Sequence, residues 1–331
     1  MTKRYGILLI LATAIILLNG CGNKEGAKRA ADENKPQPEI EDQQERVLVE
    51  VKDPLYIAEG IRKLSVKTAG EEVLQISYEP KEYESSYEYW KIRIPYGEEA
   101  IVDTEAVLEL YHYLERLDFT PAIDVPDSTT TGLDSPDTSI TVDFCQTNQE
   151  ERAAVMAGNI YEGDSPSYQA DADSSCTLMI GKKNAEGFYY GKLSANPTEI
   201  CLIPAAVIEP ILNVDPFTLI LKVSAAVSID TVEEIRLTME GREYQLTPDH
   251  KLYGELFSIL LVSEIEEPDK VGDEILLKLH FVRNIESEQD LDIEYHSYDE
   301  TYGSVSVNGT EKFLVKLADI ERLKEMIKKQ Q

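Results

Sequence analysis

Two stretches of this chain repeat the same order of residue types, and the repeat constrains the fold more than any other feature of the sequence. TEICLIPAAVIEPIL begins at Thr198 and TEKFLVKLADIERLK begins at Thr310. In one register the two stretches match at several positions: Glu199 with Glu311, Leu202 with Leu314, Ala206 with Ala318, Ile208 with Ile320 and Glu209 with Glu321. The segments that open each half, IRKLSVKTAGEEVLQI and VEEIRLTMEGREYQLT, are also alike. Because repeated sequence indicates repeated structure, we predict a duplicated unit.

Short runs with alternating apolar residues make up most of each half, and a period of two is typical of β-strands. The predicted strands of the first half are VLVEV, IRKLSVKTA, EEVLQISYE, YWKIRIP, SITVDF, CTLMIG, FYYGKL and TEICLIP. Those of the second half are EEIRLTM, REYQLT, EILLKLHF, LDIEYHSY, YGSVSV and TEKFLV. Three dipeptides suit hairpin turns, Ala69-Gly70, Glu240-Gly241 and Asn308-Gly309.

Helical spacing occurs at corresponding places between these strands. Asp103 can cap a helix over DTEAVLELYHYLERL, and a short helix starts near Pro204 and should end or kink at Pro210. Thr247-Pro248 resembles the start of a helix over DHKLYGELFSILLV, and LADIERLKEMIKK forms a closing helix. The turn-rich stretch DVPDSTTTGLDSPD reads as loop. We predict an α+β fold with two related subdomains, each a mainly antiparallel sheet covered by helices.

The N-terminus has the pattern of a secretory signal. Lys3 and Arg4 precede an apolar run from Gly6 to Leu18, which is shorter than the about 20 residues of a membrane span. The run ends in Leu-Asn-Gly-Cys, and this ending resembles a bacterial lipobox with small residues before a thiol nucleophile. We predict cleavage between Gly20 and Cys21 and diacylation of Cys21, because two acyl chains hold a protein stably on a membrane.

These observations divide the chain into four predicted parts. Residues 1–20 are the lipoprotein signal peptide, and residues 21–46 are an acylated, disordered tether that lacks large apolar side chains. Residues 47–228 form the first α+β repeat, and residues 229–331 form the second. A short connection from Leu212 to Ile229 would let the two copies form a cleft.

The charge of the chain limits its partners. It has 62 acidic and 32 basic residues, a net charge of -30. Such a chain repels phosphate backbones, which argues against nucleic-acid binding. It also repels anionic lipid surfaces, so membrane contact must come from the acyl chains.

The remaining cysteines are Cys145, Cys176 and Cys201. In SITVDFC the apolar residues alternate so that Cys145 lies on the opposite face, whereas Cys176 shares a face with Leu178. We therefore predict three partly buried thiols rather than a disulfide.

Several of these runs together resemble the bacterial domain-of-unknown-function 4340 family: YWKIRIP, VDTEAVLELYHYLERLDF, TTGLDSPDTSITVDF, LMIGKKNAEGFYYGKL and ICLIPAAVIEPIL. The resemblance covers roughly Leu55 to Leu261 and rests on Gly132-Leu133-Asp134, Ile180-Gly181 and Tyr189-Tyr190. The family has no assigned activity or catalytic residues. Its members are typically membrane-anchored or lipidated and are often encoded near gliding-type ABC transporter components. The resemblance thus implies an accessory role at the envelope, although the acidic insertion around Tyr168 to Ser175 departs from the family's pattern.

Motifs for catalysis or cofactor binding are missing from the sequence. It has no G-x-S-x-G, P-loop or strand-associated G-x-G-x-x-G motif, so no cofactor is implied. His280 and His296 lie on neighbouring predicted strands, but a third metal ligand is lacking. Asp171 and Asp173 lack the glycine and distal glutamate of a calcium loop, so we predict no metal site.

The aromatic run YESSYEYW provides the remaining candidate site. Tyr87 and Tyr89 alternate on one face and could form a ligand platform, with Trp90 on the other face. Packing in the core is the simpler interpretation, because strands are enriched in aromatic residues.

We therefore expect a non-catalytic, lipid-anchored accessory or interaction protein outside the cytosol, with an envelope protein or an ABC transporter as its partner. The alternative is a substrate-binding lipoprotein with a small-molecule ligand in the cleft between the repeats. An envelope hydrolase is the weakest hypothesis, because no nucleophile and base can be paired. Convergence of several carboxylates on His280 or His296 would favour it.

Overall fold

The structure, a computed structural model, describes residues 54–79, 89–97, 100–145, 172–225, 227, 229–247, 250, 252–284 and 290–329. These residues form two antiparallel sheets of seven strands each, with six helices. The sheets belong to two similar subdomains, so the predicted α+β class and the duplication are confirmed.

The first sheet has the strand order β3-β2-β1-β4-β5-β6-β7. Its strands are β1 Ile61–Thr68, β2 Glu71–Tyr78, β3 Trp90–Ile92, β4 Thr138–Phe144, β5 Ser174–Lys183, β6 Phe188–Leu193 and β7 Cys201–Pro204.

The second sheet has the strand order β10-β14-β13-β12-β11-β8-β9. Its strands are β8 Val232–Met239, β9 Arg242–Leu246, β10 Leu261–Glu264, β11 Ile275–Arg283, β12 Leu291–Ser297, β13 Tyr302–Val307 and β14 Thr310–Lys316.

The helices are α1 Arg93–Tyr96, α2 Thr104–Leu114, α3 Ser128–Thr131, α4 Ala205–Leu212, α5 Tyr253–Leu256 and α6 Leu317–Lys328. Helix α2 packs against α4, and α4 also contacts β1. Helix α6 packs against β11, β13 and β14. The helices therefore cover the sheets as the sequence predicts.

Helix α2 illustrates how the sequence sets a local structure. The Asp103 carboxylate caps it by accepting hydrogen bonds from the amides of Glu105 and Ala106 at 3.1 and 3.3 Å. The predicted apolar stripe is buried and consists of Val107, Leu110, Tyr111, Leu114 and Leu117. Burial of this stripe, rather than helix propensity, provides most of the stability of an 11-residue helix.

The predicted hairpin turns are confirmed. Positive φ values occur at Ala69 and Gly70, at Glu240 and Gly241, and at Asn308 and Gly309. Consecutive positive φ values are those of the type I′ turn, whose twist matches that of the two strands it joins.

The two copies share the order of six strands. In the first sheet this order is β2-β1-β4-β5-β6-β7, and in the second it is β9-β8-β11-β12-β13-β14. A helix follows the last strand in each copy, with Pro204 and Lys316 as the capping residues. These two residues are also aligned in the register that the sequence repeat predicts, and Ile208 and Ile320 are both fully buried.

Three predicted elements differ from the structure. The strand predicted over YWKIRIP is too long, because only β3 is a strand and α1 begins at Arg93. The helix predicted from Thr247-Pro248 through DHKLYGELFSILLV is too long, because only α5 is helical and the end of the apolar run forms β10. Strand β10 pairs with β14, whose backbone groups offer the run a sheet edge that the sequence does not reveal. The carbonyl of Thr247 accepts the His250 amide in a turn, and Pro248 lies outside the described residues.

The third difference is α3, which lies within the predicted loop DVPDSTTTGLDSPD. Asp127 caps this turn by accepting a hydrogen bond from the Thr130 amide, and Gly132 ends it with a φ of 77°. Pro210 lies inside α4, which ends two residues later at Leu212. The predicted strand VLVEV lies outside the described residues.

The connection between the two sheets, predicted from Leu212 to Ile229, is hydrogen-bonded to both subdomains. Towards the first subdomain, the Asp103 amide donates to Leu219 O and the Leu221 amide donates to Ile101 O. Towards the second, the Leu261 amide donates to Lys222 O and the Ser224 amide donates to Ile259 O. One hydrophobic core therefore continues through both subdomains. The sequence-based limits of the two repeats, 47–228 and 229–331, remain a prediction.

Candidate functional site

The junction of the two subdomains holds a cluster of aromatic and charged side chains that no motif in the sequence announces. We call it the junction cluster, and it consists of Tyr96, Asp215, Phe217, Lys222, Glu264 and Phe313. The Phe313 ring lies 5.1 Å from the Tyr96 ring and 5.9 Å from the Phe217 ring, measured between centroids. Lys222 Nζ lies 3.3 Å from the centroid of the Phe217 ring. Residues of both subdomains thus form this contact.

The Lys222 ammonium group is the unusual member of the junction cluster. Its Nζ is buried and has no hydrogen-bond partner within the described part of the chain. Burial lowers the pKa of Lys222, while the carboxylates of Asp215, Asp103 and Glu264 oppose this shift. Perturbed groups are common at functional sites, but here the aromatic ring and the carboxylates account for the cation. We assign Lys222 a structural role at the junction.

The two histidines that the sequence singled out lie on the outer face of the second sheet. His280 on β11 is opposite Asp292 on β12, whereas His296 is opposite Ile275 near the other end of the strand pair. His280 Nδ1 lies 3.1 Å from Asp292 Oδ1, and its Nε2 lies 3.6 Å from Asp290 Oδ2. These carboxylates contact opposite nitrogens of the ring and cannot share one metal ion with it. No group of three metal-ligating side chains converges among the residues that the structure describes.

Carboxylates do gather near His280, the arrangement that would favour catalysis. However, Lys278 Nζ lies 2.7 Å from Glu294 Oε1 and 3.3 Å from Asp292 Oδ1. The hydrogen bond to Glu294 raises the pKa of Lys278, and its ammonium group pairs with both Glu294 and Asp292. The group occupies a partly exposed sheet face, where cross-strand ion pairs of this kind are ordinary.

Ser304 lies on β13 opposite His296, which places a hydroxyl beside an imidazole. The hydroxyl donates its hydrogen bond to Glu311, and the serine is fully buried. His296 Nε2 in turn lies 3.5 Å from Glu294 Oε2. A buried hydroxyl already bonded to a carboxylate does not present a nucleophile to a substrate.

The aromatic candidates are only partly within the structure. Tyr87 lies outside the described residues, and Tyr89 is half-buried with its ring 5.9 Å from Tyr78. Trp90 is 7% exposed and contacts Tyr78 at 5.0 Å and Tyr111 at 5.6 Å, both between centroids. Trp90 therefore packs in the core, as the sequence favours.

Two of the family-like signatures meet in the first subdomain. A Cβ on Gly181 would overlap the carbonyl oxygen of Thr131 and lie 3.0 Å from Leu133 Cγ. Lys192 Nζ donates a hydrogen bond of 2.8 Å to Leu133 O. Thr131 and Leu133 are both fully buried, so these signatures are explained by close packing.

The cysteines Cys145, Cys176 and Cys201 are buried thiols with no disulfide between them, as predicted, although burial is more complete than expected. Burial raises the pKa of Cys201 to about 11. The Cys201 thiol donates a 3.3 Å hydrogen bond to Gly191 O. A protonated, buried thiol is a poor nucleophile, so Cys201 is a packing residue.

A free sheet edge is the feature that sequence reasoning missed. Strand β9 ends the second sheet, and no strand of the described residues pairs with its outer side. Beside it lies a pocket of about 180 Å³ lined by Leu237, Tyr244, Gln245, Leu246, His250, Leu252 and Ile327. The pocket is smaller than the roughly 300 to 1,000 Å³ of typical small-molecule sites. Its size suits amino-acid side chains rather than a whole small molecule.

Gly20, Cys21 and Asp171 lie outside the described residues, so the lipidation site remains a prediction. Asp173 is described, and its amide donates a 3.2 Å hydrogen bond to Phe144 O. None of the helices in the described ranges has the length and apolar character needed to cross a bilayer.

Comparisons with protein-family models, with curated proteins and with solved structures found no match to this chain.

Proposed function

We propose that this chain is a lipid-anchored, extracytoplasmic interaction protein of a bacterial cell envelope, with an accessory role to a membrane assembly such as an ABC transporter. Acyl chains on Cys21 would hold it at the membrane, and the folded part would dock a protein partner. The resemblance to the domain-of-unknown-function 4340 family points in the same direction. The proposed role is non-catalytic and uses no cofactor.

The hydrogen-bonded junction is the observation that carries this proposal. A substrate-binding protein of two lobes commonly closes by a hinge, in which a few linker residues absorb large backbone changes. Here the linker donates backbone hydrogen bonds to both subdomains. Ser224 Oγ also bonds Ile259 O at 2.9 Å and the Tyr295 hydroxyl at 2.7 Å, in a buried position.

Hinge closure would therefore require these bonds to break, and a buried polar group left without its partner costs about 1–3 kcal/mol. A rigid body with two sheets is better suited to docking a partner than to closing over a ligand. Among the described residues, the pocket beside β9 lies within the second subdomain, away from the junction.

Metabolic labelling tests the anchor. Cells expressing the wild-type chain or the Cys21→Ser variant are grown with labelled palmitate, and the chain is partitioned between detergent and aqueous phases. We expect label and detergent partitioning for the wild type and loss of both for Cys21→Ser. Replacement of the buried Cys201 by serine serves as a control that keeps the label. Unchanged labelling of Cys21→Ser would contradict the proposal.

Crosslinking in intact cells tests the interaction role. We expect a discrete crosslinked species with an envelope protein for the wild type, and its loss when Cys21→Ser releases the chain from the membrane. A screen of small molecules by thermal shift tests the alternative. A ligand that raises the midpoint by several degrees, without any crosslinked partner, would favour the substrate-binding lipoprotein.

A further inference from the structure

We propose that the open edge of β9 docks an extended segment of another envelope protein, which adds to the second sheet as a further strand and places two apolar side chains at the pocket beside β9. This inference rests on the proposed interaction role and names the place and chemistry of the partner. Strand addition of this kind takes its affinity from backbone hydrogen bonds and its specificity from pockets for alternate side chains.

The backbone of β9 is arranged for such an addition. Glu240 and Gly241 form a two-residue turn, so Met239 and Arg242 are a hydrogen-bonded pair. Alternation along the strand then turns the N–H and C=O groups of Glu243 and Gln245 away from β8. These two residues offer four backbone groups to an incoming strand, and both side chains are exposed.

The first sheet shows what fits this edge. Strand β2 occupies the position in the first sheet that β9 occupies in the second, and β3 pairs with its outer side. In β3, Trp90 is opposite Tyr78 and Ile92 is opposite Ile76, and both side chains are buried. Lys91 lies between them and remains partly exposed. The occupant of the sister edge is therefore an extended segment with the pattern apolar, basic, apolar.

The surroundings of β9 favour the same pattern. Tyr244 and Leu246 share the face of the pocket, so partner residues opposite them would point towards it. Partner residues opposite Glu243 and Gln245 would lie on the outer face, where a Lys or Arg can pair with the Glu243 carboxylate. The net charge of -30 further favours a partner segment with basic residues.

A peptide with the sequence of residues 88–94, EYWKIRI, is the probe, because it contains β3, the strand that covers the sister edge. We measure its binding to the full chain in detergent by fluorescence anisotropy of a label on the peptide. In the bound register the amide of Lys91 faces β9, whereas the amide of Ile92 faces away. In the first sheet the Glu79 amide donates to Tyr89 O, and alternation from this bond turns the Lys91 amide towards β2.

We expect saturable binding of the peptide, and a loss of affinity of at least about tenfold on N-methylation of the Lys91 amide. N-methylation of Ile92 is the matched control and should leave affinity nearly unchanged. Replacing both Trp90 and Ile92 of the peptide by serine should also abolish binding, because nothing then fills the pocket. On the protein, Gln245→Pro should abolish binding and Gln245→Ala should keep it, since proline is tolerated where an edge N–H faces solvent.

Absence of saturable binding at millimolar peptide, or equal losses for the two N-methylated peptides, would overturn the inference. Light scattering reports whether a second copy occupies the edge instead: a dimer that becomes a monomer in Gln245→Pro would assign β9 to self-association and contradict a foreign partner. The peptide test needs no acyl chain. If labelling shows that Cys21 is not acylated, the peptide-binding test is unaffected. If the peptide does not bind, the proposal of a lipid anchor still stands.

Discussion

The two sheets share a six-strand order but differ in the position of the seventh strand. In the first sheet β3 extends the edge of β2, whereas in the second sheet β10 extends the opposite edge, next to β14. The strands that differ come from the segments inserted between the repeated elements. The duplicated unit therefore fixes the central strands, and each copy covers one of its edges in its own way.

A similar contrast appears at a glycine in the fifth shared strand of each sheet. A Cβ on Gly191 would meet the end of the Ile203 side chain at 2.6 Å, whereas a Cβ on Gly303 would meet the backbone oxygen of His296 at 2.8 Å. A side chain can move aside and a backbone carbonyl cannot. Glycine thus makes room for a side chain in one copy and for a backbone carbonyl in the other.

Substitutions at the covered edge of the first sheet and at the open edge of the second should differ most in their effect on the free energy of unfolding. Trp90→Ala removes a buried ring from the covered edge and should lower the free energy of unfolding by about 3–5 kcal/mol. Tyr244→Ala, at the open edge, removes a half-buried ring and should cost about 1 kcal/mol. Urea unfolding of both variants measures the difference. Equal losses would mean that the edge of β9 is as well covered as that of β2.

The bond between Ser224 and Tyr295 tests how firmly the linker is fixed to the second subdomain. Ser224→Ala leaves the buried Tyr295 hydroxyl without this partner, so we expect a loss of about 1–3 kcal/mol. Burial raises the pKa of Tyr295, so its hydroxyl stays protonated at neutral pH and needs a partner. In the double variant with Tyr295→Phe, the loss should be smaller than the sum of the single losses. Additive losses would mean that the two side chains do not interact, and two separate unfolding transitions in the wild type would argue against a single cooperative unit.

Substitution of Lys222 should have the smallest effect on stability, and the pH dependence of that effect reports on the environment of Lys222 at the junction. The folded state lowers the pKa of Lys222 below its ordinary value of 10.5, so between the two values the unfolded state binds more protons. Stability from this group is therefore reduced at neutral pH and rises as the pH increases towards 10.5. Lys222→Met lacks this dependence. Its free energy of unfolding should exceed that of the wild type at pH 8, and urea unfolding should show a smaller difference at pH 10. A difference that does not change with pH would place the ammonium group in water.

Local patterns predicted most of the strands, the hairpin turns and the helices that begin after Asp103 and Pro204. They failed where the partner is distant in sequence. The run that ends in β10 has the spacing of a helix, yet it pairs with β14, about 50 residues away. The predicted ligand platform and metal candidates also depended on neighbours: Tyr89 packs on Tyr78, and His280 is held between two aspartates.

The sequence by itself determined the duplication, the α+β class and the alternation that turns each strand's apolar side inwards, because these follow from periodicity and from turn residues that lie next to one another. Only the tertiary structure decided which edge of each sheet is covered, and how the connection after Leu212 is fixed between the subdomains. Both depend on backbone hydrogen bonds between distant segments, and a backbone group carries no signature of its partner in the sequence.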